Sequence, residues 1–331
     1  MNLSELPRAG AACCATPASV DSRPGPSPSS HRLGRAAAAL TVLAGSGIGT
    51  AMVAPAAHAD DAFNFARPGK YTITVPKDVT EATVKVWGAG GHGGHGGHGG
   101  AGGDGTMNGT GGGGAGGGGG ATGNAGTYIE CQLTGLQQGQ TYEVVVGSAE
   151  ASTLEGRTSL LRPPGMDTRP HYMSLAVAAG GGDGGDGGDG GTGGDGGLIL
   201  PGSGSGGQAG AGGRPGTETG PAGCGYAGSK VASRQRDLNR GQPGKPGAAG
   251  NPGQPGTYTK AGTGGTGGDG GKGRSGYLGI GNGGDGGKGA TGGDGGKRAV
   301  TGTEGNGPRP NSQSGMAGGN GQVTVTWHTA P

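Results

Sequence analysis

Aromatic side chains are the scarcest component of this 331-residue chain, with two Phe, two Trp and seven Tyr making up 3% of it. Aromatics supply much of the buried area of an ordinary core, so any core built here is thin. Charge is also low: 14% of residues are Asp, Glu, Lys or Arg, and the formal net charge is +2. Such a balance lacks the basic footprint of a nucleic-acid binder, whose affinity rests on neutralising phosphates. Long hydrophobic runs are missing apart from Ala36–Val53, which Gly45, Ser46, Gly47 and Gly49 make weakly apolar. No second span follows it, so no membrane span is expected in the mature form. Catalytic signatures are absent as well. There is no Gly-x-Ser-x-Gly elbow, His-Glu-x-x-His or Walker loop, and Gly-x-Gly-x-x-Gly matches mean nothing in such composition without a Rossmann context. Glu150, Glu155 and Glu218 stand isolated and read as solvated loop acids. No enzymatic activity and no cofactor are expected.

Glycine fills the space left by these absences, at 94 residues. From Gly88 to Gly105 each triplet reads Gly-X-Gly, with Ala89, His92, His95, His98, Ala101 and Asp104 at X. Gly180–Gly197 repeats the rule with Asp183, Asp186, Asp189, Thr192 and Asp195. A period of three matches neither helix nor strand. It matches the polyproline-II backbone, which rises about 3.1 Å per residue and leaves every N–H and C=O pointing outward. Neighbouring rods can satisfy those groups, so the period predicts a hydrogen-bonded polyglycine-II bundle. The alternative is a flexible linker, since ordering glycine costs more backbone entropy than ordering any other residue. Disorder has no need of phase, however, and phase is kept here. Gly116–Gly120 has no side chains and suits a central position. Gly241–Gly256 runs Gln-Pro-Gly, Lys-Pro-Gly, Ala-Ala-Gly, Asn-Pro-Gly, Gln-Pro-Gly. This collagen-like run reads as a peripheral rod with one face unable to donate. A triple helix is the rival, but five triplets are few for one. Leu198–Pro201, Tyr258 and Tyr277–Ile280 read as turns and apolar end-caps.

Residues 1–59 have the plan of a secretion signal: Arg32 and Arg35, the apolar stretch, then Ala57-His58-Ala59 before Asp60. The positive region is long, and no lipobox, twin-arginine pair or C-terminal sorting tail accompanies it. Export with release, or non-covalent surface retention, is expected. Without residues 1–59 the chain carries twenty basic and twenty acidic residues, a neutrality that favours self-association. Cys131 and Cys224 remain, and an oxidising exterior makes a disulfide the first expectation. Two free buried thiols are the alternative.

Outside the glycine tracts, short alternating segments predict strands: Tyr71/Ile73/Val75, Ala82/Val84/Val86, Ile129/Cys131/Leu133, Tyr142/Val144/Val146, Met173/Leu175/Val177 and Val323/Val325/Trp327. They place strands near 70–87, 127–147, 172–178 and 322–327, with glycine-rich insertions at 88–126 and 179–321. Phe63 and Phe65 are expected to plug one end. The predicted fold class is therefore mainly β, a small antiparallel sandwich in a single domain over 60–331 with an inserted rod bundle and few or no helices. Because the final strand follows the glycine region, that region is an insertion anchored at both ends, which lowers the entropy cost of ordering it.

His92, His95 and His98 invite a metal reading. At three residues per turn their Cβ atoms lie about 9 Å apart, whereas one zinc needs ligands at about 2 Å in a tetrahedral set. A solvated imidazole row, charging near pH 6–7, is the favoured reading. The Asp183/186/189/195 row is too widely spaced for one calcium. A better use is charge matching between rods, with Asp269/Lys272, Asp285/Lys288 and Asp294/Lys297 setting register. Two irregular loops are recognition candidates. Ser148–His171 carries Arg157, Arg162 and Met166, and Tyr226–Arg240 carries Lys230, Arg234, Arg236 and Arg240. A solvated connector is the alternative for each.

Lys70-Tyr-Thr-Ile-Thr-Val-Pro76 and Thr83-Val-Lys-Val-Trp-Gly-Ala-Gly-Gly91 carry a resemblance. So do Tyr142-Glu-Val-Val-Val-Gly147, Ala178-Ala-Gly-Gly-Gly182 and Gly321-Gln-Val-Thr-Val-Thr-Trp327. Together they resemble the glycine-rich domains of secreted bacterial proteins, of some phage tail adhesins and of the extracellular region of anaplastic lymphoma kinase. The likeness covers nearly all of residues 63–327. It implies a β-sandwich bearing a polyglycine-II bundle, exported from a bacterium and used for binding or adhesion. The tracts also resemble mycobacterial Gly-Gly-X repeats, without the helical domain that accompanies those. The expected work is adhesive or structural, toward a cell-surface or extracellular-matrix partner. Ice binding by a flat rod array is the runner-up, and metal binding by a surface protein is the third reading.

Overall fold

Alternating Val, Ile and Thr residues form two antiparallel sheets. The computed structural model describes residues 62–166, 173–197, 202–216, 220–226, 229–297, 299, 303–307 and 311–329. The expected leader 1–59, the caps Leu198–Pro201, Glu218 and the loop end His171 lie outside the described residues. In chain order the strands are β1 (Ala62–Phe65), β2 (Gly69–Thr74), β3 (Val79–Trp87), β4 (Tyr128–Thr134), β5 (Thr141–Val146), β6 (Ser159–Arg162), β7 (Ala176–Ala178), β8 (Gly223–Cys224), β9 (Ala232–Asn239) and β10 (Gln322–Thr329). One helical turn, α1 (Leu154–Arg157), precedes β6. The first sheet runs β1-β10-β3-β4-β9 and the second β2-β5-β6-β7-β8.

Register follows from the alternation. Val325 opposes Val84 and Trp327 opposes Ala82, while Val84 and Val86 oppose Cys131 and Ile129. Their inward side chains join Ile73, Tyr142, Val144, Leu161 and Leu175 in one buried cluster. At about 25 cal/mol per Å² of apolar surface, this cluster is the side-chain source of stability. Cys131 of β4 is bonded to Cys224 of β8, a link between the two sheets across 93 residues.

Several expectations change. Phe63 and Phe65 lie in a strand, β1, paired with β10 at Val325 and Val323 and packed half-buried against the core. The Ser148–His171 loop contains α1 and β6, and β6 joins β5 to β7. Tyr226–Arg240 is not an irregular loop either, because most of it is β9, paired to β4 through a bulge between Glu130 and Cys131. The strand expected at 172–178 shortens to β7.

The glycine-rich chain leaves the sandwich after β3, β7 and β9 and returns to it at β4, β8 and β10. It does so in extended segments that belong to neither sheet: 88–105, 110–127, 179–197, 202–216, 240–256, 261–275, 281–297 and 311–321, numbered here first to eighth. Hydrogen bonds join them. Each N–H from Gly111 to Thr127 donates to a backbone carbonyl of another segment, at 2.8–3.1 Å. The acceptor rotates every three residues. Gly112, Gly113 and Gly114 donate to Gly194, Gln254 and Gly293, and Ala115, Gly116 and Gly117 donate to Gly191, Asn251 and Ala290. Carbonyls of this second segment accept from the first (Gly97 N–H to Gly118), the fourth (Gly210 to Gly116) and the sixth (Gly268 to Gly117). The second segment thus has six neighbours. Residues 111–127 are buried throughout, and the side-chain-free run Gly116–Gly120 lies among them.

Glycine is required by this closeness. A Cβ on Gly117 would stand 2.2 Å from the Gly97 oxygen, well inside van der Waals contact. The collagen-like fifth segment repeats a different logic. Its glycines face inward, while Gln242/Pro243, Lys245/Pro246, Asn251/Pro252 and Gln254/Pro255 are exposed. Its X-position carbonyls accept from the second segment and its glycine N–H groups donate to the fourth. Proline therefore occupies the one phase whose missing N–H costs no bond. Where segments meet sandwich, the scarce aromatics gather: Tyr128 lies 4.8 Å from Trp87 and stacks 4.3 Å from Tyr277, ring centre to ring centre. The Trp87 indole N–H donates to the Tyr277 carbonyl at 3.1 Å.

Candidate binding surfaces

The histidine row and the aspartate row are side by side. The first and third segments run side by side in the same direction, and Gly184, Gly187 and Gly190 N–H donate to the carbonyls of His92, His95 and His98, each at 2.8 Å. In return, the N–H groups of His92, His95 and His98 donate to Oδ1 of Asp183, Asp186 and Asp189, at 2.6, 2.7 and 2.8 Å. Asp104 N–H donates likewise to Asp195. These are outward amides that the neighbouring backbone leaves unpaired, and a short carboxylate reaches them in a charge-assisted bond. The same device recurs where Asp294 accepts from Gly264 and Asp285 from Gly273.

The carboxylates are turned toward amides, and the His92 ring is bonded to the Ala149 carbonyl. The His95 and His98 side chains stand exposed. Among the described residues no group of three or more His, Cys, Asp or Glu is gathered closely enough to hold a metal ion. Of the expected Asp–Lys pairings, Lys288 reaches Asp269 at 3.3 Å with both side chains largely exposed, a contact worth about 0–1 kcal/mol.

The first candidate loop turns inward. Arg157 is 2% exposed. Thr153 caps α1 by accepting the Gly156 N–H, which places Arg157 where the third segment leaves the sandwich. Its guanidinium spans both oxygens of Asp183, Nη1 to Oδ1 at 2.7 Å and Nη2 to Oδ2 at 3.0 Å, and also donates to the Gly181 carbonyl. Arg162 is buried in β6, with Nε 2.9 Å from Glu143, and it donates to the Met166 carbonyl at 3.3 Å. Half-buried Met166 marks the end of that turn. The expectation that Arg157 and Arg162 present charge to a partner is corrected: both charges are spent inside the fold.

The second candidate stays outside. Lys230, Arg234, Arg236 and Arg240 are all exposed, and β9 lies at one end of its sheet. Arg236 is the extra residue of the bulge, and its Nε donates to Gln132 at 3.1 Å. Arg234 and Arg236 are held on the strand, where the sheet sets their spacing, and Lys230 and Arg240 flank it. The rest of that outer face is polar, with Lys85 3.8 Å from Glu130 and Thr83 bonded to His328.

Two tyrosines among the described residues have raised phenols. Burial pushes the Tyr142 phenol up to about 12, and its hydroxyl has no hydrogen-bond partner. Tyr128 is raised further, first by burial and then by its hydrogen bond to Glu130. Tyr142 belongs to the core cluster, and Tyr128 is buried where the glycine segments meet the sandwich. A comparison with known protein families matches no family model, and a comparison with curated proteins finds no similar sequence.

Proposed function

We propose that this chain is a secreted, non-enzymatic scaffold of adhesive or structural role, in which a β-sandwich carries a polyglycine-II bundle toward a cell-surface or extracellular partner. The observation that supports the bundle is the rotation of hydrogen-bond acceptors every three residues along 111–127, which is the repeat of a threefold extended helix. Segments of this kind are held chiefly by backbone hydrogen bonds, so outward X positions that cap no neighbouring amide are free to vary as a surface. A bonded backbone on six sides also makes the projection stiff, as an adhesive stalk requires. The exposed cations of β9 and the rows of the first and third segments are the surfaces offered. A disulfide between sheets suits an oxidising exterior.

Amide hydrogen exchange by NMR, with and without reductant, tests the bundle. Protected glycine amides across 88–127 and 180–296 are expected, and random-coil exchange there would overturn it. Retention of protein-coated beads on cell surfaces tests the adhesive role. Charge reversal of Arg234, Arg236 and Arg240 to Glu is expected to lower retention several-fold. Thermal hysteresis in the absence of any retention would move the assignment to ice binding, and tight zinc uptake abolished by His95→Ala would move it to metal binding.

A further inference from the structure

We infer that the proline edge of the fifth segment docks a partner protein whose groove is walled by aromatic rings, a partner class that rests on the threefold bundle proposed above. Proline holds φ at about −65° and turns the residue before it toward extended backbone. At three residues per turn, such a rod has three edges. The glycine edge is turned in, with Gly244, Gly250 and Gly253 buried. The other two are exposed: Pro243, Pro246, Pro252 and Pro255 along one, and Gln242, Lys245, Asn251 and Gln254 along the other. Gly241 packs against the Ala125 carbonyl as Gly244 does against that of Thr122, so the phase already holds at the start of the segment. Exposed Arg240 therefore stands in the proline row, one turn ahead of Pro243.

The bundle fixes this rod from behind. The carbonyls of Lys245, Asn251 and Gln254 accept from Thr122, Gly116 and Gly113 of the second segment. The N–H groups of Ala248, Asn251 and Gln254 donate to the carbonyls of Asp269, Thr266 and Thr263 in the sixth, each at 2.9 Å. Gly250 N–H donates to the Gly210 carbonyl of the fourth at 2.9 Å. A free proline-rich peptide is already partly ordered, which is why such peptides serve as ligands. Here the backbone bonds complete that ordering, so docking costs the rod little further conformational entropy.

The chemistry of the edge selects its occupant. A collagen triple helix needs glycine at its own axis, and here the glycine edge is already buried in the bundle. A glycine segment of a second copy would need N–H donors, and proline supplies none. What the edge offers is a row of rigid apolar rings, about 9 Å apart on one side of a threefold rod. Rods of this kind seat in grooves between aromatic side chains. Arg240, in the same row, adds a guanidinium one turn before the first ring, so the matching groove carries a carboxylate at one end. Pro243-x-x-Pro246 and Pro252-x-x-Pro255 are separated by Ala248 and Ala249, and they begin roughly 28 Å apart along the rod. Two such units on one stiff rod can engage a partner that has two grooves, which raises its apparent affinity.

The test is an NMR titration of the isotope-labelled full chain with an isolated SH3 domain, a module whose aromatic groove takes Pro-x-x-Pro rods. Saturable binding is expected, with shift changes centred on residues 240–256, and none with an SH3 domain whose groove Trp is replaced by Ala. Pro243→Ala, Pro246→Ala, Pro252→Ala and Pro255→Ala together are expected to lower the affinity about tenfold or more. Arg240→Glu is expected to lower it several-fold and to remove most of its salt dependence. Ala249→Pro adds a ring in the same phase, where the N–H donates to no carbonyl among the described residues. It joins the two units and is expected to raise the affinity about twofold. Absence of binding, indifference to the four alanines, shift changes centred elsewhere, or a fall in affinity with Ala249→Pro would each overturn the inference. Glycine amide exchange in the same samples separates the two levels. Protected glycines without binding sink the docking ridge alone, whereas random-coil exchange sinks the bundle itself.

Discussion

In the sandwich, Val84, Val86, Ile129, Val325 and Trp327 exclude water with side chains, and the backbone ladders run between strands adjacent in a sheet. Along 111–127 nothing larger than Asn or Thr is present, yet these residues are as buried as the valines. Their burial is made by backbone against backbone, with the amides satisfied by carbonyls of three different neighbours. One region is therefore tolerant of which apolar residue it uses, and intolerant of losing volume. The other is intolerant of gaining a single carbon at its centre and has no volume to lose. The difference teaches that burial does not require hydrophobic side chains, provided every buried polar group finds a partner.

The sharpest way to break this symmetry is to add atoms to the second segment. Gly117→Val is expected to destabilise by more than about 4 kcal/mol, because its Cβ would stand 2.2 Å from a backbone oxygen that has no soft side chain to yield. Chemical denaturation reads the loss, and glycine amide exchange should show it spread over all the segments. The equal and opposite experiment removes atoms from the sandwich. Trp327→Ala should cost about 3–5 kcal/mol, and an added valine at exposed His95 should cost almost nothing.

Opening the Cys131–Cys224 bridge comes next. Reduction, or Cys224→Ser, is expected to cost about 2–4 kcal/mol and to loosen β8 and β9 before the glycine amides, since the bridge joins the two sheets.

Alkali should then distinguish the regions. Tyr142 titrates near 12 folded and near 10 unfolded, so its contribution is complete below pH 10 and is lost as pH rises from 10 through 12. Tyr142→Phe should flatten that part of a stability profile, by at most about 2–3 kcal/mol. At neutral pH the substitution should be close to neutral, because the hydroxyl has no partner to lose. Smallest is the loss of one aspartate cap. Asp186→Ala leaves the His95 amide to water and should cost about 0.5–1 kcal/mol by analogy with other side-chain caps, and thermal melts of Asp186→Ala and Asp189→Ala together should be additive.

How much of this was legible follows from range. Alternation placed five of the expected strands within a few residues, since one face of each is apolar. β9 escaped because Ala-Ser-Arg-Gln-Arg-Asp-Leu-Asn carries almost no apolar alternation; as an end strand it is held by β4 and not by burial. β6 escaped because four residues buried on both faces show no period at all. The inward role of Arg157 was hidden for another reason. Asp183, its partner, is 26 residues away and looked like one more member of a row matching charge between rods.

The sequence alone determined the periods: two for the strands, three for the glycine segments, and with them which backbone groups would need outside partners. It also determined where proline could sit without cost, since an extended threefold chain presents one phase to solvent. Only the tertiary structure decided who the partners are. The aspartate caps join residues 91 positions apart, and the six neighbours of the second segment come from six separate stretches of chain. A local pattern fixes what each residue needs, but hydrogen bonds form in space, and three-residue repeats slide past one another until the ends, the disulfide and the closing strand β10 set their register.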